Sequence, residues 1–125
     1  MDEITTEAAP ESIGPFSQGL RVDDRVHVSG QGPVDPETGE IVGRDIEAQT
    51  DRTMENVGAI LDAGGSSLDR LIRVRVYVTD MGTYDAVNRV YERYVSEPYP
   101  ARTAVEVSAL PIDIGVEIDA IGLVE

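Results

Sequence analysis

Residues 71–79 read LIRVRVYVT, and this alternation leaves the chain little choice. Ile72, Val74, Val76 and Val78 fall on one side of an extended strand, and Arg73, Arg75 and Tyr77 fall on the other. A helix would scatter the same residues around its circumference. Just upstream the period changes: Ile46, Thr50, Thr53, Met54, Val57, Ile60 and Leu61 recur at intervals of three and four. That spacing predicts an amphipathic helix beginning at Ile46, with Asp45 as N-cap and Gly64-Gly65 as the stop. A half-buried strand next to a helix of this kind calls for a sheet with helices laid on it.

The remaining elements follow from weaker signals. Gly19–Val22 and Arg25–Ser29 read as paired strands joined through Asp23-Asp24. The stretch GPVDPETGEIVG then reads as a loop with a Pro-Glu-Thr-Gly turn. Thr83 is placed to cap a second helix carrying Tyr84, Val87, Tyr91, Tyr94 and Val95 on one stripe. Residues 102–108 and 115–124 complete the order β-β-α-β-α-β-β, an α+β layout in a single domain spanning 1–125. Parity sets Arg102, Ala104 and Glu106 opposite Thr103, Val105 and Val107, and Glu117 and Asp119 opposite Val116, Ile118 and Ala120. The expectation is that the apolar set on each strand meets the helices. The charged set is then solvated or covered by other subunits.

Composition narrows the chemistry. The chain has no Cys, no Trp and one His, and all ten of its basic residues are Arg. It therefore has no thiol nucleophile, no zinc–thiolate site and no lysine for a Schiff base, and one His cannot build a multi-histidine metal site unless subunits share it. No metal or cofactor is expected. The net charge of −14 is spread along the chain, which opposes binding to nucleic acid. Strong acidity with Arg in place of every Lys also predicts a surface adapted to high salt, where screening tolerates self-repulsion. Neither a membrane-spanning run nor a signal peptide is visible, so a cytoplasmic protein is expected.

The segments IGPFSQG (13–19), VSGQGPVDPETGE (28–40), ENVGAILDAGG (55–65), VYVTDM (76–81), VNRVYERYV (87–95), PARTAVEVSALP (100–111) and VEIDAIG (116–122) resemble, in order and spacing, the RidA/YjgF family. The resemblance runs from about Ala9 to the C-terminus. It implies a chorismate-mutase-like fold, with a mixed sheet and two helices on one face. It also implies a homotrimer with the sheets packed inside and a site at each interface. The implied activity is hydrolysis of reactive 2-imino and 2-enamino acids to 2-oxo acids and ammonia.

The same resemblance assigns candidate residues. Arg102 would clamp a substrate carboxylate through its bidentate guanidinium, the alternative being a surface ion pair. Glu117 would deliver water and shuttle protons, the alternative being a structural ion pair in which Asp119 competes. Ser29 and Gly30 would contact the carboxylate or water, although a strand-end serine can equally satisfy local backbone. Asn88 matches a polar position near the site, with a structural role as plausible. His27 reads as a structural histidine rather than a base. Two departures stand out: Phe16 occupies a position where the family commonly has tyrosine, and Ala104 one where many members have cysteine. The aromatic wall and a backbone contact survive these changes; a hydroxyl and a thiol do not. Two other readings compete, a non-catalytic carboxylate-binding or chaperone-like module and, less favoured by the charge, a ribonuclease or translation inhibitor.

Overall fold

A computed structural model describes all residues 1–125. Six strands form one mixed sheet: β1 (Asp2–Ile4), β2 (Gly19–Val22), β3 (Arg25–Gln31), β4 (Leu71–Val78), β5 (Ala101–Glu106) and β6 (Val116–Leu123). Two helices, α1 (Ile46–Ala63) and α2 (Tyr84–Tyr91), lie on one face. The spatial order is β1-β2-β3-β6-β4-β5. All pairs are antiparallel except β4 with β5, which run parallel. The α+β reading holds, with one addition: the sequence gives no hint of β1. Only Ile4 of its three residues is buried, so no alternation can develop over Asp2-Glu3-Ile4.

The anticipated helix signals work as local chemistry. Asp45 accepts a hydrogen bond from the Ala48 amide at 2.9 Å, satisfying one of the helix's orphan donors. At the other end Gly65 takes a left-handed φ of 89°. The Ser66 amide can then reach back to the Leu61 carbonyl at 2.9 Å. Met54, Val57, Ile60 and Leu61 are fully buried and pack with Val26 and Val28 of β3, Val76 of β4, and Ile118 of β6. Each such side chain contributes about 1.5–3 kcal/mol of hydrophobic burial.

The second helix differs from expectation. Thr83 makes no side-chain cap bond. A 3-10 turn (Met81–Thr83) precedes the helix, and Asp80 caps that turn by accepting from the Gly82 amide at 2.8 Å. Tyr94 and Val95 still pack against the core, but from the turn beyond Tyr91. A register shift between Leu71 and Arg73 buries Leu71 and leaves Ile72 half-buried.

The larger correction concerns β5. Its parallel register pairs Val74 with Arg102, Val76 with Ala104 and Val78 with Glu106, so these three residues share the helix side. Thr103 and Val105 join Arg75, Tyr77, Glu117 and Asp119 on the open face. The parity grouping holds, but the choice of helix side fails because β5 is an edge strand with no fully buried residue. Without a deeply buried side, apolar identity does not say which face meets the core. No helix is long and apolar enough to cross a membrane.

Polar residues on the buried side of α1 tie down loops rather than fill the core. The Asn56 side chain donates to the carbonyls of Gly32 (3.0 Å) and Val34 (2.9 Å) and accepts two bonds from Arg52. Gln49 donates to Gly43 O at 2.7 Å and accepts from the Gly115 amide at 2.8 Å. Asn56→Ala orphans two loop carbonyls and should cost about 1–3 kcal/mol, measured by urea unfolding.

Candidate functional site

The open face is concave. Residues 10–17, the segment after β3 and the loop before β6 rim a cavity of 1230 Å³ whose floor carries Glu117, Asp119, Arg73, Arg75 and His27. Gln18 fixes the first wall: 4% exposed, it donates to the carbonyls of Thr6, Ala9 and Pro10 and accepts from the Thr6 amide. Four sequence-predicted residues meet in this cavity, namely Phe16, Ser29, Gly30 and Glu117. Phe16 is half exposed at the rim. Ser29 donates its hydroxyl to the Ser17 carbonyl at 2.6 Å, which joins β3 to the rim segment. That bond favours the structural reading of this serine.

Gly30 has a steric reason to be glycine. A Cβ there would stand 2.6 Å from Glu117 Oε2 and 3.0 Å from its carboxyl carbon. Gly30→Ala should therefore swing the Glu117 side chain away while sparing the fold. Turnover is expected to drop at least about 10-fold at an unchanged melting temperature, because small misplacements of a reacting group are expensive.

Glu117 is half-buried, and its pKa lies above the ordinary glutamate value, first through burial and then through repulsion from Asp119. Asp119 is engaged by Arg75, whose Nε donates at 2.9 Å. Within the chain His27 is exposed on this face, and its side chain makes no hydrogen bond.

Arg102 lies elsewhere. On the helix side of β5, its Nη2 donates to the Tyr84 hydroxyl at 2.7 Å, and its guanidinium carbon stands 4.7 Å from the centre of the Tyr91 ring. The aromatic faces attract the cation and help to position it. Asn88 sits between the two tyrosines on α2 at helical spacing, half-buried and with no side-chain partner. Ala104 pairs with Val76 two residues along from Arg102. The outer edge of β5 bears no neighbouring strand. Arg102 and Glu117 thus occupy opposite faces of the sheet and do not converge within one chain. Tyr84 and Tyr91 were read from the sequence only as an apolar stripe. Their contact with Arg102 depends on a strand register no local pattern reveals.

This arrangement can be set beside known proteins. The family described as Endoribonuclease L-PSP matches residues 6–124. A RutC family protein of Pyrococcus abyssi is 49% identical over 122 residues, covering 98% of this chain and 96% of the relative. The protein belongs to the RidA/YjgF family. Among its relatives, the 2-iminobutanoate/2-iminopropanoate deaminase of Escherichia coli is 40% identical over 123 residues, covering 96% and 95% of the two chains. Of solved structures, RidA from an Antarctic Psychrobacter superposes with a TM-score of 0.95 at 40% identity, covering 99% of this chain and 100% of that one. E. coli TdcF with bound serine gives a TM-score of 0.94 at 38% identity, covering 100% of each chain. The RidA-type fold and family are thereby established for this chain.

Proposed function

We propose that this RidA-family chain hydrolyses reactive 2-imino acids and their 2-enamino tautomers, such as 2-iminobutanoate and 2-aminoacrylate, to 2-oxo acids and ammonia. It would do so as a homotrimer in which Arg102 of one subunit faces the Glu117 cavity of the next. The observation that carries this reading is the division of the site. A guanidinium suited to a carboxylate sits on one face of the sheet, and a carboxylate able to move protons lies in a cavity on the other. Each half is incomplete alone. The cavity is also rimmed by exposed Ile13, Phe16 and Ile112, with Val105 exposed on the same face, the kind of apolar surface a subunit contact buries. Similarity to the E. coli deaminase supports the substrate class.

In the assembled site the free edge of Arg102 pairs with the substrate carboxylate by two parallel hydrogen bonds. Water adds to the C=N carbon while Glu117 accepts its proton. The protonated imine thus becomes a carbinolamine that takes this proton back on nitrogen; the C–N bond then breaks as the hydroxyl passes its proton to Glu117, and ammonia leaves with the carbonyl formed. No cofactor is required by these steps, and Asn88 and the Ala104 backbone, on α2 and β5 beside Arg102, would contact the bound acid. The family description raises a second reading, ribonuclease activity. The charge of −14 opposes approach of a phosphate backbone, so the deaminase reading is preferred.

The test couples the protein to a pyridoxal-phosphate dehydratase acting on threonine or serine and follows imine decay, at low salt and at the molar salt its acidic surface suggests. Faster decay than in buffer is expected, with a trimer mass in sedimentation. Decay at the buffer rate under both salts overturns the deaminase reading.

A further inference from the structure

Glu117 has a carboxylate neighbour in a sharply different environment. The β4–β6 register sets Tyr77 directly across from Glu117 and Arg75 directly across from Asp119. The hydrogen bonds do not follow that symmetry. Arg75 Nε donates to Asp119 Oδ1 at 2.9 Å, and the Tyr77 hydroxyl passes over its direct neighbour to reach Asp119 Oδ2 at 3.2 Å. Both oxygens of Asp119 are therefore held. Glu117 receives no hydrogen bond within the chain and rests against Gly30 in the cavity. Two acidic residues whose Cα atoms lie about 7 Å apart along one strand face thus differ in the two respects that bear on protonation, donors and cations.

We propose that Asp119, pinned by Arg75 and Tyr77, is a positioning residue that makes Glu117 the proton carrier of the reaction. The inference rests on the deaminase reading for its catalytic meaning, though the electrostatic arrangement exists without it. The negative charge of Asp119, held in place by a cation and a hydroxyl, favours the protonated form of a neighbour that has neither. Burial acts on Glu117 in the same direction, and its pKa lies above the ordinary value accordingly. Such a carboxyl is better matched to handing a proton from water to departing ammonia near neutrality than an exposed glutamate is.

The other charged groups lining this cavity are Arg73, His27 and Glu11. Arg73 on β4 donates to Thr103 Oγ1 at 2.8 Å and sits opposite Ile121. His27 on β3 also pairs with Ile121, four residues from Glu117. Glu11 comes from the rim segment. His27 is the one histidine of the chain and lies in this cavity, so His27→Gln serves as the background control.

The experiment follows the Glu117 side-chain carboxyl carbon by NMR in protein labelled with 13C-glutamate, with Glu117→Gln assigning the signal. In parallel it records the pH profile of kcat/KM. Asp119→Asn should move the Glu117 midpoint to lower pH and carry the acid limb of the profile with it, whereas Asp119→Glu should leave the midpoint high. Asp119→Ser, smaller but still an acceptor for Tyr77, stands in if the Asn variant does not assemble, and should shift the midpoint the same way. A midpoint unchanged by loss of the Asp119 charge overturns the proposal even if the wild type hydrolyses imines. A midpoint that falls supports the electrostatic role even if it does not, and the deaminase reading alone then fails.

Discussion

Arg102→Lys should lower kcat/KM for a 2-imino acid by about 100-fold, mostly through KM. A lysine keeps the charge but none of the geometry that fixes it. The Arg102 guanidinium stands over the Tyr91 ring, with one nitrogen on the Tyr84 hydroxyl at 2.7 Å. Its remaining N–H groups form a planar fork matched to a carboxylate. A single ammonium on a flexible stem must choose between the tyrosine and the substrate, and it orients neither. A loss of about 100-fold corresponds to about 2.7 kcal/mol, near the strength of a charged bidentate pair over a single contact. Arg102 is only half-buried, so the melting temperature and the trimer mass should hold. A lysine variant within about threefold of wild type would sink the clamp assignment.

Glu117→Gln addresses the other half of the site. The amide is isosteric, keeps the packing against Gly30 and cannot take a proton from water, so kcat should fall by about 100- to 1000-fold with KM nearly unchanged. The split matters, because a residue that merely binds substrate would move KM instead. The wild-type profile should show activity rising with pH as Glu117 ionises. Since burial and Asp119 raise its pKa, that acid limb lies at higher pH than an exposed glutamate would give. A glutamine variant with full kcat would remove Glu117 from the chemistry.

Legibility in the sequence followed the strength of local physics. α1 and β4 were readable because burial on one side imposes a period, and the β2–β3 hairpin because Asp23 tolerates its φ of 54°. β1 was invisible because three residues with one buried side chain carry no period. β5 was found but assigned the wrong face, since an edge strand beside a two-turn helix has no deep side to mark. The family motifs pointed to Arg102, Glu117, Ser29 and Gly30, and placed Asp119 beside Glu117. They could not show that Arg102 and Glu117 lie on opposite faces. Nor could they show that Tyr77 and Arg75 converge on Asp119, because such contacts join strands distant in sequence. Gln18, Gln49 and Asn56 looked like ordinary polar residues; only burial against loop carbonyls reveals their work.

The grip of α1 on the loops has a dynamic corollary. Gln49 and Asn56 hold backbone at Gly32, Val34, Gly43 and Gly115, so one helix anchors segments that lie far apart along the chain. Segments fastened to a common element belong to one cooperative opening unit. Hydrogen exchange at those loops should therefore track α1 rather than the fast limit of surface turns. The cavity keeps its shape for as long as the helix stays wound, and loses it in the same event.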